Sequence, residues 1–241
     1  MMTNKLLANM RAGRRTSLCQ LYFPSATLVE LMGMAGLDCV IFDGEHGTFT
    51  PENLDDLCRV AELAGVTPVA RVPNIESSTI QSYLDRGVLG VFAPGIDTKG
   101  DAQKVVDACR FHPIGKRGIG GAPRWVAFQD YASPEQIEEA NAQIVVVAFL
   151  EHIAAMDNID EIMDVDGIDA YYVGRADASL SLGFPGEIDH PKVKEFEARV
   201  REAAHARGKA YFDEVIVGQR ATNFFLDGAR AFLEANKEAL S

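Results

Sequence analysis

The 241-residue sequence has no apolar run approaching the ~20 residues that a membrane-spanning helix needs, and residues 1–15 lack the apolar core of a secretory leader. The expected location is the cytoplasm. Basic residues are few: 23 Lys and Arg against 35 Asp and Glu give a formal net charge of -12. A polyanion partner needs a basic patch that displaces counterions, so neither nucleic acid nor an anionic membrane is an expected partner. The four cysteines, Cys19, Cys39, Cys58 and Cys109, form no CxxC pair and sit among apolar neighbours. That is the pattern of buried thiols, not of a disulfide framework or a zinc site. No GxGxxG or Walker-type loop occurs, which counts against the nucleotide-binding folds. Internal repeats, low-complexity tracts and linkers are absent, and Trp125 is the only tryptophan.

What is present is a core's worth of apolar residues, 47% of the chain, arranged as alternating short apolar runs and helical periodicities. Strands are expected at 16–23, 38–43, 67–72, 90–94, 144–150, 168–173 and 209–212, with a last one at 229–233. Between them, Ser25 and Thr50-Pro51-Glu52 read as helix starts and Gly36, Gly65 and Gly87 as helix ends. One helix is expected at 134–142, another at 153–163, and a third begins at Pro191. The rhythm breaks after Phe111 in a long excursion punctuated by Pro113, Gly115, Gly118, Gly120, Gly121 and Pro123, and long loops in compact domains are more often functional than not. About eight strand-helix units imply parallel pairing with right-handed crossovers. In a chain of this length they favour one (β/α)8 TIM barrel domain spanning residues 1–241 over a doubly wound sheet.

In such a barrel the residues just past the C-terminal ends of the strands converge on one mouth. Here those ends carry Asp43, Glu45 and His46, then Arg71, then Glu151 and His152, then Asp177. Two carboxylates on neighbouring strands, Glu151 and Asp177, suit an oxygen-rich Mg²⁺ or Mn²⁺ site completed by water and substrate. Arg71 suits bidentate pairing with a carboxylate or oxyanion. Histidine, with an unperturbed pKa of about 6.5, suits proton transfer at neutral pH, which makes His46 the general base and Asp43 its orienting acid. Taken singly these residues read as helix caps, solvated loop acids and a structural histidine. Glu151 resists that reading, because a charge directly after seven apolar residues is costly unless paired or bound. His112, His190 and His205 receive no role.

Asp43-Gly44-Glu45-His46-Gly47, Ala70-Arg71-Val72-Pro73, Gly115-Lys116-Arg117-Gly118, the strand ending in Glu151, and Gly167-Ile168-Asp169-Ala170 through Gly174-Arg175-Ala176-Asp177 occur in a telling order. With Ser179-Leu180-Ser181-Leu182-Gly183 they resemble the HpcH/HpaI class II pyruvate aldolases, over nearly the whole chain. The resemblance implies a TIM barrel of the phosphoenolpyruvate/pyruvate superfamily type, a homo-oligomer (hexamer or dimer), a divalent metal ion (Mg²⁺, Mn²⁺ or Co²⁺), and reversible cleavage of a 4-hydroxy-2-oxo acid. It further implies Glu151 and Asp177 as metal ligands, Arg71 as the group on the pyruvyl oxygens, and His46 with Asp43 as acid and base. Gly174 and the backbone amides of Ala176 and Asp177 are implied to bind substrate, and Glu45 is expected behind the site, in a supporting or subunit-contact role.

Departures from the family pattern point to an altered substrate. Phe149 stands where a glutamine is usual, Arg175 where a proline is common, and Ala93-Pro94 replaces Val-Pro. Phe149 and Arg175 are therefore expected to line the substrate pocket. The C-terminal end is expected to be shortened, with the family's last helix scarcely present. The functional expectation is a metal-dependent lyase, an aldolase or retro-aldolase. The alternatives are a citrate-synthase-like condensation of oxaloacetate with acetyl-CoA in siderophore biosynthesis, motivated by Arg175, Phe149 and the Trp125 loop, and a non-catalytic barrel subunit.

Overall fold

A computed structural model describes residues 3–120 and 123–240; Gly121 of the excursion and Met1 lie outside the described residues. Among the described residues eight strands form one parallel sheet: β1 Thr16–Leu21, β2 Cys39–Asp43, β3 Thr67–Arg71, β4 Gly90–Ala93, β5 Val145–Leu150, β6 Ala170–Val173, β7 Ala210–Tyr211 and β8 Ile216–Arg220. They follow the order β7-β6-β5-β4-β3-β2-β1-β8, so the sheet curls into a partly open barrel with its seam between β7 and β8. The seam has a physical reason. Parallel neighbours need a crossover of roughly a dozen residues, whereas only the short helix Phe212–Val215 separates β7 from β8. That helix packs on β6, β7 and β8 instead.

Strands β2, β4 and β5 read as near-continuous apolar runs because both their faces are buried. One face of each strand points into the barrel, where Ile41, Val69, Phe92, Val147 and Phe149 meet. The other face, with Val40, Phe42, Ala70, Val91 and Val146, packs under the helices. Leu6 and Leu7 of the helix Lys5–Arg11 enter the barrel from the N-terminal end of the strands. The Asn4 amide holds that helix in place by donating to the carbonyls of Leu89 (2.8 Å) and Gln143 (2.7 Å).

The caps fall where the sequence puts them. The Ser25 hydroxyl accepts from the Leu28 amide, and Gly36 and Gly65 end their helices in the left-handed region. All four cysteines are free and buried. No helix among the described residues is long and apolar enough to cross a membrane.

Three expectations are corrected. Residues 229–233 are not a strand but part of the helix Ala221–Ala235, and the eighth strand is Ile216–Arg220, paired with β1. Ala, Arg and Leu are strong helix formers, and a short stretch of them has no strand preference to set against fifteen consecutive helical positions. The last helix, expected to be scarcely present, is those fifteen residues. The helix expected over 153–163 is two, Ile153–Asp157 and Ile159–Met163, broken at Asn158. There the Asn158 amide donates to the carbonyl of Asp97 at 2.9 Å.

The excursion also lies elsewhere than expected. Trp125 rests against Phe111 (ring centroids 5.0 Å), and the guanidinium of Arg117 lies 4.7 Å from the Phe111 ring and 5.4 Å from the Trp125 ring. Arg117 is buried and paired with Asp85 at 2.9 Å. Trp125 faces a small cavity with Pro68, Gly87 and Leu89, at the N-terminal ends of β3 and β4. It is therefore at the opposite end of the barrel from Arg71 and Glu151.

Candidate active site

The two-residue period of a strand explains why polar groups gather at one end. The inward-facing rows of β2 and β5 are apolar until their last members, Cys39, Ile41 and then Asp43 on β2 and Val145, Val147, Phe149 and then Glu151 on β5, and on β3 Val69 is followed by Arg71. Asp43 and Arg71 are direct neighbours in the register of β2 and β3. Above these rows opens a cavity of about 530 Å³, within the range of small-molecule sites. His46, Arg71, Phe149, Glu151, Gly174 and Arg175 line it, together with Ala176 and Asp177. Of the strand-end residues singled out from the sequence, Asp43, Glu45 and His152 are not on the wall.

Asp43 is instead fully buried behind Arg71. Its two oxygens accept from Arg71 Nε (3.1 Å) and Nη2 (2.5 Å), from the Gln20 amide (2.8 Å) and from the backbone amides of Glu45 and His46 (3.1 Å each). Burial alone would raise this carboxyl, but the hydrogen bonds from Arg71 and the two amides overcome it and hold the group below its usual value. Asp43 therefore orients Arg71 and the 45–46 turn. It accepts from the His46 backbone, not from its ring. The His46 ring is 57% exposed at the mouth, with Nε2 3.9 Å from Glu45 Oε2. Glu45 also meets Arg71: its Oε2 lies 2.9 Å from Arg71 Nη1, an ion pair outside hydrogen-bond alignment. Burial, offset in part by Arg71 and His46, raises its carboxyl.

Glu151 is only 5% exposed. Burial first, then the nearby charges of Glu45 and Asp177, push its carboxyl up to about 7, against one backbone donor, the Gly95 amide at 3.2 Å. Gly174 makes room for it. A Cβ at position 174 would stand 2.5 Å from Glu151 Oε1 and 2.7 Å from its Cγ. Asp177 lies in the first turn of the helix Arg175–Ser181. Among the described residues no three His, Cys, Asp or Glu side chains are grouped to hold an ion by themselves. The site nevertheless fits a hard divalent cation that keeps water or substrate oxygens. Such ions take one or two carboxylates, and Glu151 carries repulsion from Glu45 and Asp177 that the Gly95 amide and Arg71 offset only in part.

The lower wall is aromatic. Phe149 packs 4.8 Å from Tyr172 and 6.0 Å from Phe92, and the Arg71 guanidinium lies 6.0 Å over its ring. Arg175 reaches the cavity already paired, 3.4 Å from Glu197 and 3.3 Å from Asp213. Gln20, Tyr172, Asp213 and Arg220 also line the cavity and escaped the sequence reading. Tyr172 had a usable signal, since it precedes Gly174 by two and must share its face. Asp213 and Arg220 had none, because they reach the mouth only through the unexpected course of the chain after β7.

A parallel α/β barrel with a cavity of paired carboxylates and arginines at the C-terminal ends of its strands has the architecture of the barrel enzymes, whose active sites lie at that end. The chain is a member of the HpcH/HpaI aldolase/citrate lyase family, which it matches over residues 18–238. It is 36% identical over 187 residues to the 4-hydroxy-2-oxovalerate aldolase of Rhodococcus jostii (strain RHA1), covering 75% of this chain and 69% of that protein. It is 34% identical over 195 residues to the 2-keto-3-deoxy-L-rhamnonate aldolase of Klebsiella pneumoniae subsp. pneumoniae, covering 77% and 69%. Among solved structures it resembles a HpcH/HpaI aldolase/citrate lyase family protein from Burkholderia cenocepacia J2315. That likeness has a TM-score of 0.87 and 29% identity, over 99% of this chain and 100% of the other. Its homologues over most of the chain are thus aldolases.

Proposed function

We propose that the protein is a metal-dependent aldolase that cleaves, and in reverse forms, a 4-hydroxy-2-oxo acid, releasing pyruvate and an aldehyde. The observation that carries this is the buried Glu151 carboxyl, raised to about 7 beside Asp177 in a cavity that also presents Arg71. In this reading Glu151 and Asp177 hold Mg²⁺, Mn²⁺ or Co²⁺. The ion would polarise the 2-oxo group and stabilise the negative charge that develops as the carbon-carbon bond breaks.

The remaining steps belong to side chains. Arg71 has five N–H donors, of which two serve Asp43 and one faces Glu45, so two are left for the carboxylate and oxo oxygens of the substrate. The amides of Ala176 and Asp177 complete the hold on the carboxylate. His46, at the open rim, takes the proton of the 4-hydroxyl during cleavage and returns it during condensation. Asp43 acts through Arg71, which it keeps in place. The proposal includes self-association into a homo-oligomer, dimer or hexamer.

Condensation of oxaloacetate with acetyl-CoA draws no support from Arg175, whose charge is matched by Glu197 and Asp213, or from Trp125 at the far end of the barrel. The deciding experiment follows pyruvate release from 4-hydroxy-2-oxo acids by the purified protein with each ion. Chelation should abolish turnover and Mn²⁺ restore it. Glu151→Gln should lose metal binding by titration, whereas Glu45→Gln should keep it largely intact. Absence of pyruvate with all three ions would overturn the reading.

A further inference from the structure

The helix Arg175–Ser181 carries Asp177 in its first turn, and among the described residues that carboxylate has no hydrogen bond or ion pair of its own. Its place is therefore set by the backbone beneath it. Seven residues are too few for a helix to be stable by itself, so outside contacts must hold it. At the C-terminal end these are plain. Ala178 and Ser179 are buried, the Ser179 hydroxyl accepts from the Gly186 amide at 3.2 Å, and the Ser181 hydroxyl accepts from the Ile153 amide at 2.8 Å. The N-terminal end lacks the usual devices. Its N-cap is Gly174, which has no side chain to accept from the first turn. Nor does it open on a proline, as the helices Pro51–Ala64, Pro134–Gln143 and Pro191–Ala206 do.

Arg175 supplies an anchor instead. Its guanidinium spans to two other elements: Nε lies 3.4 Å from Glu197 on the helix Pro191–Ala206, and Nη2 donates at 3.3 Å to Asp213 in the short helix Phe212–Val215. Both partners are themselves held. Glu197 is buried and accepts from Arg201 at 2.8 Å, and the Asp213 carbonyl accepts from Arg15 at 3.1 Å. A side chain fastened at its far end restricts its own backbone, as the ring of a proline does at the same helical position.

We propose that Arg175 is a positioning residue: its ion pairs with Glu197 and Asp213 fix the first turn of the helix Arg175–Ser181, and so set the Asp177 carboxylate relative to Glu151 for a divalent ion. This rests on the reading of Glu151 and Asp177 as metal ligands. The sign of the effect separates positioning from direct electrostatics. A guanidinium repels a nearby cation, so removing its charge alone would tighten metal binding. Removing an anchor loosens it. Two partly exposed ion pairs correspond to about a threefold to tenfold change in affinity.

The test titrates Mn²⁺ into the metal-free protein by calorimetry, for the wild type, Arg175→Ala and Arg175→Pro. Both variants lose the charge, but only proline restores a fixed φ at the first helical position. The Arg175 backbone amide donates no hydrogen bond among the described residues, so proline forfeits none. Arg175→Ala should weaken Mn²⁺ binding about threefold to tenfold with an unchanged circular dichroism spectrum, and Arg175→Pro should bind at least as tightly as the wild type. An alanine variant that binds as tightly as the wild type, or a proline variant that binds more weakly, overturns the inference and leaves the aldolase reading standing. No Mn²⁺ binding by the wild type overturns both.

Discussion

Arg71 shows how one residue can be both structural and functional. Its fork is fixed from behind by Asp43, fully buried, so the pair is set before any substrate arrives. Removing one partner of such a pair strands a buried charge and costs about 3 to 5 kcal/mol. Asp43→Ala should lower the urea midpoint accordingly. Arg71→Lys should keep most of the stability but lose substrate affinity, since an ammonium cannot replace the fork; steady-state KM measured beside the urea titration separates the two. At Glu151 the sign of a pH effect can be worked out. Its carboxyl sits at about 7 in the folded protein against an ordinary 4.5. The stability that goes with the neutral form is thus full below about pH 4.5 and is lost as pH rises through about 7. Glu151→Gln, neutral throughout, should therefore stabilise the metal-free protein at pH 8 on the order of 1 to 3 kcal/mol and have no effect at pH 4. Thermal melts of both proteins at the two values check it.

The turn that follows β6 is shaped around its neighbour. Gly174 has φ -71 and ψ 88, a conformation open to alanine, so its glycine is required by Glu151 and not by the backbone. Gly174→Ala should displace the Glu151 carboxylate, weakening Mn²⁺ affinity at least tenfold, read by calorimetric titration, while the circular dichroism spectrum is retained. The segment after β7 carries the opposite lesson. Its strand follows no pattern that could be read in advance, because Ile216–Arg220 is a strand only by lying beside β1. Strand propensity is a statement about neighbours more than about the chain itself.

For the whole molecule, the helix Ala221–Ala235 raises the question of assembly. It has no buried residue, and Phe224, Phe225, Leu226, Phe232 and Leu233 are exposed, Phe225 at 75%. Exposed apolar side chains of this kind are what the proposed self-association would cover. With a second copy of this chain as the occupant, Phe225→Glu combined with Phe232→Glu should shift the protein toward smaller species in sedimentation velocity. Its secondary structure should remain unchanged.

The sequence by itself determined the class of fold, the parallel order of most strands and the polar ends of β2, β3 and β5, because each follows from local periodicity: apolar runs, caps, and a charge placed two residues beyond the last inward-facing apolar side chain. His46, Arg71, Phe149, Glu151 and the 174–177 turn meet in one cavity for that reason. Only the tertiary structure decided that Asp43 turns its back on the cavity and spans to Arg71, that Glu45 pairs with the same arginine, that Arg175 is neutralised by Glu197 and Asp213, and that Tyr172 packs beside Phe149. These depend on partners 28 to 38 positions away in the chain for the Asp43–Arg71 and Arg175–Asp213 pairs, and no spacing rule within one element encodes which distant charge a side chain will meet once the barrel has curled.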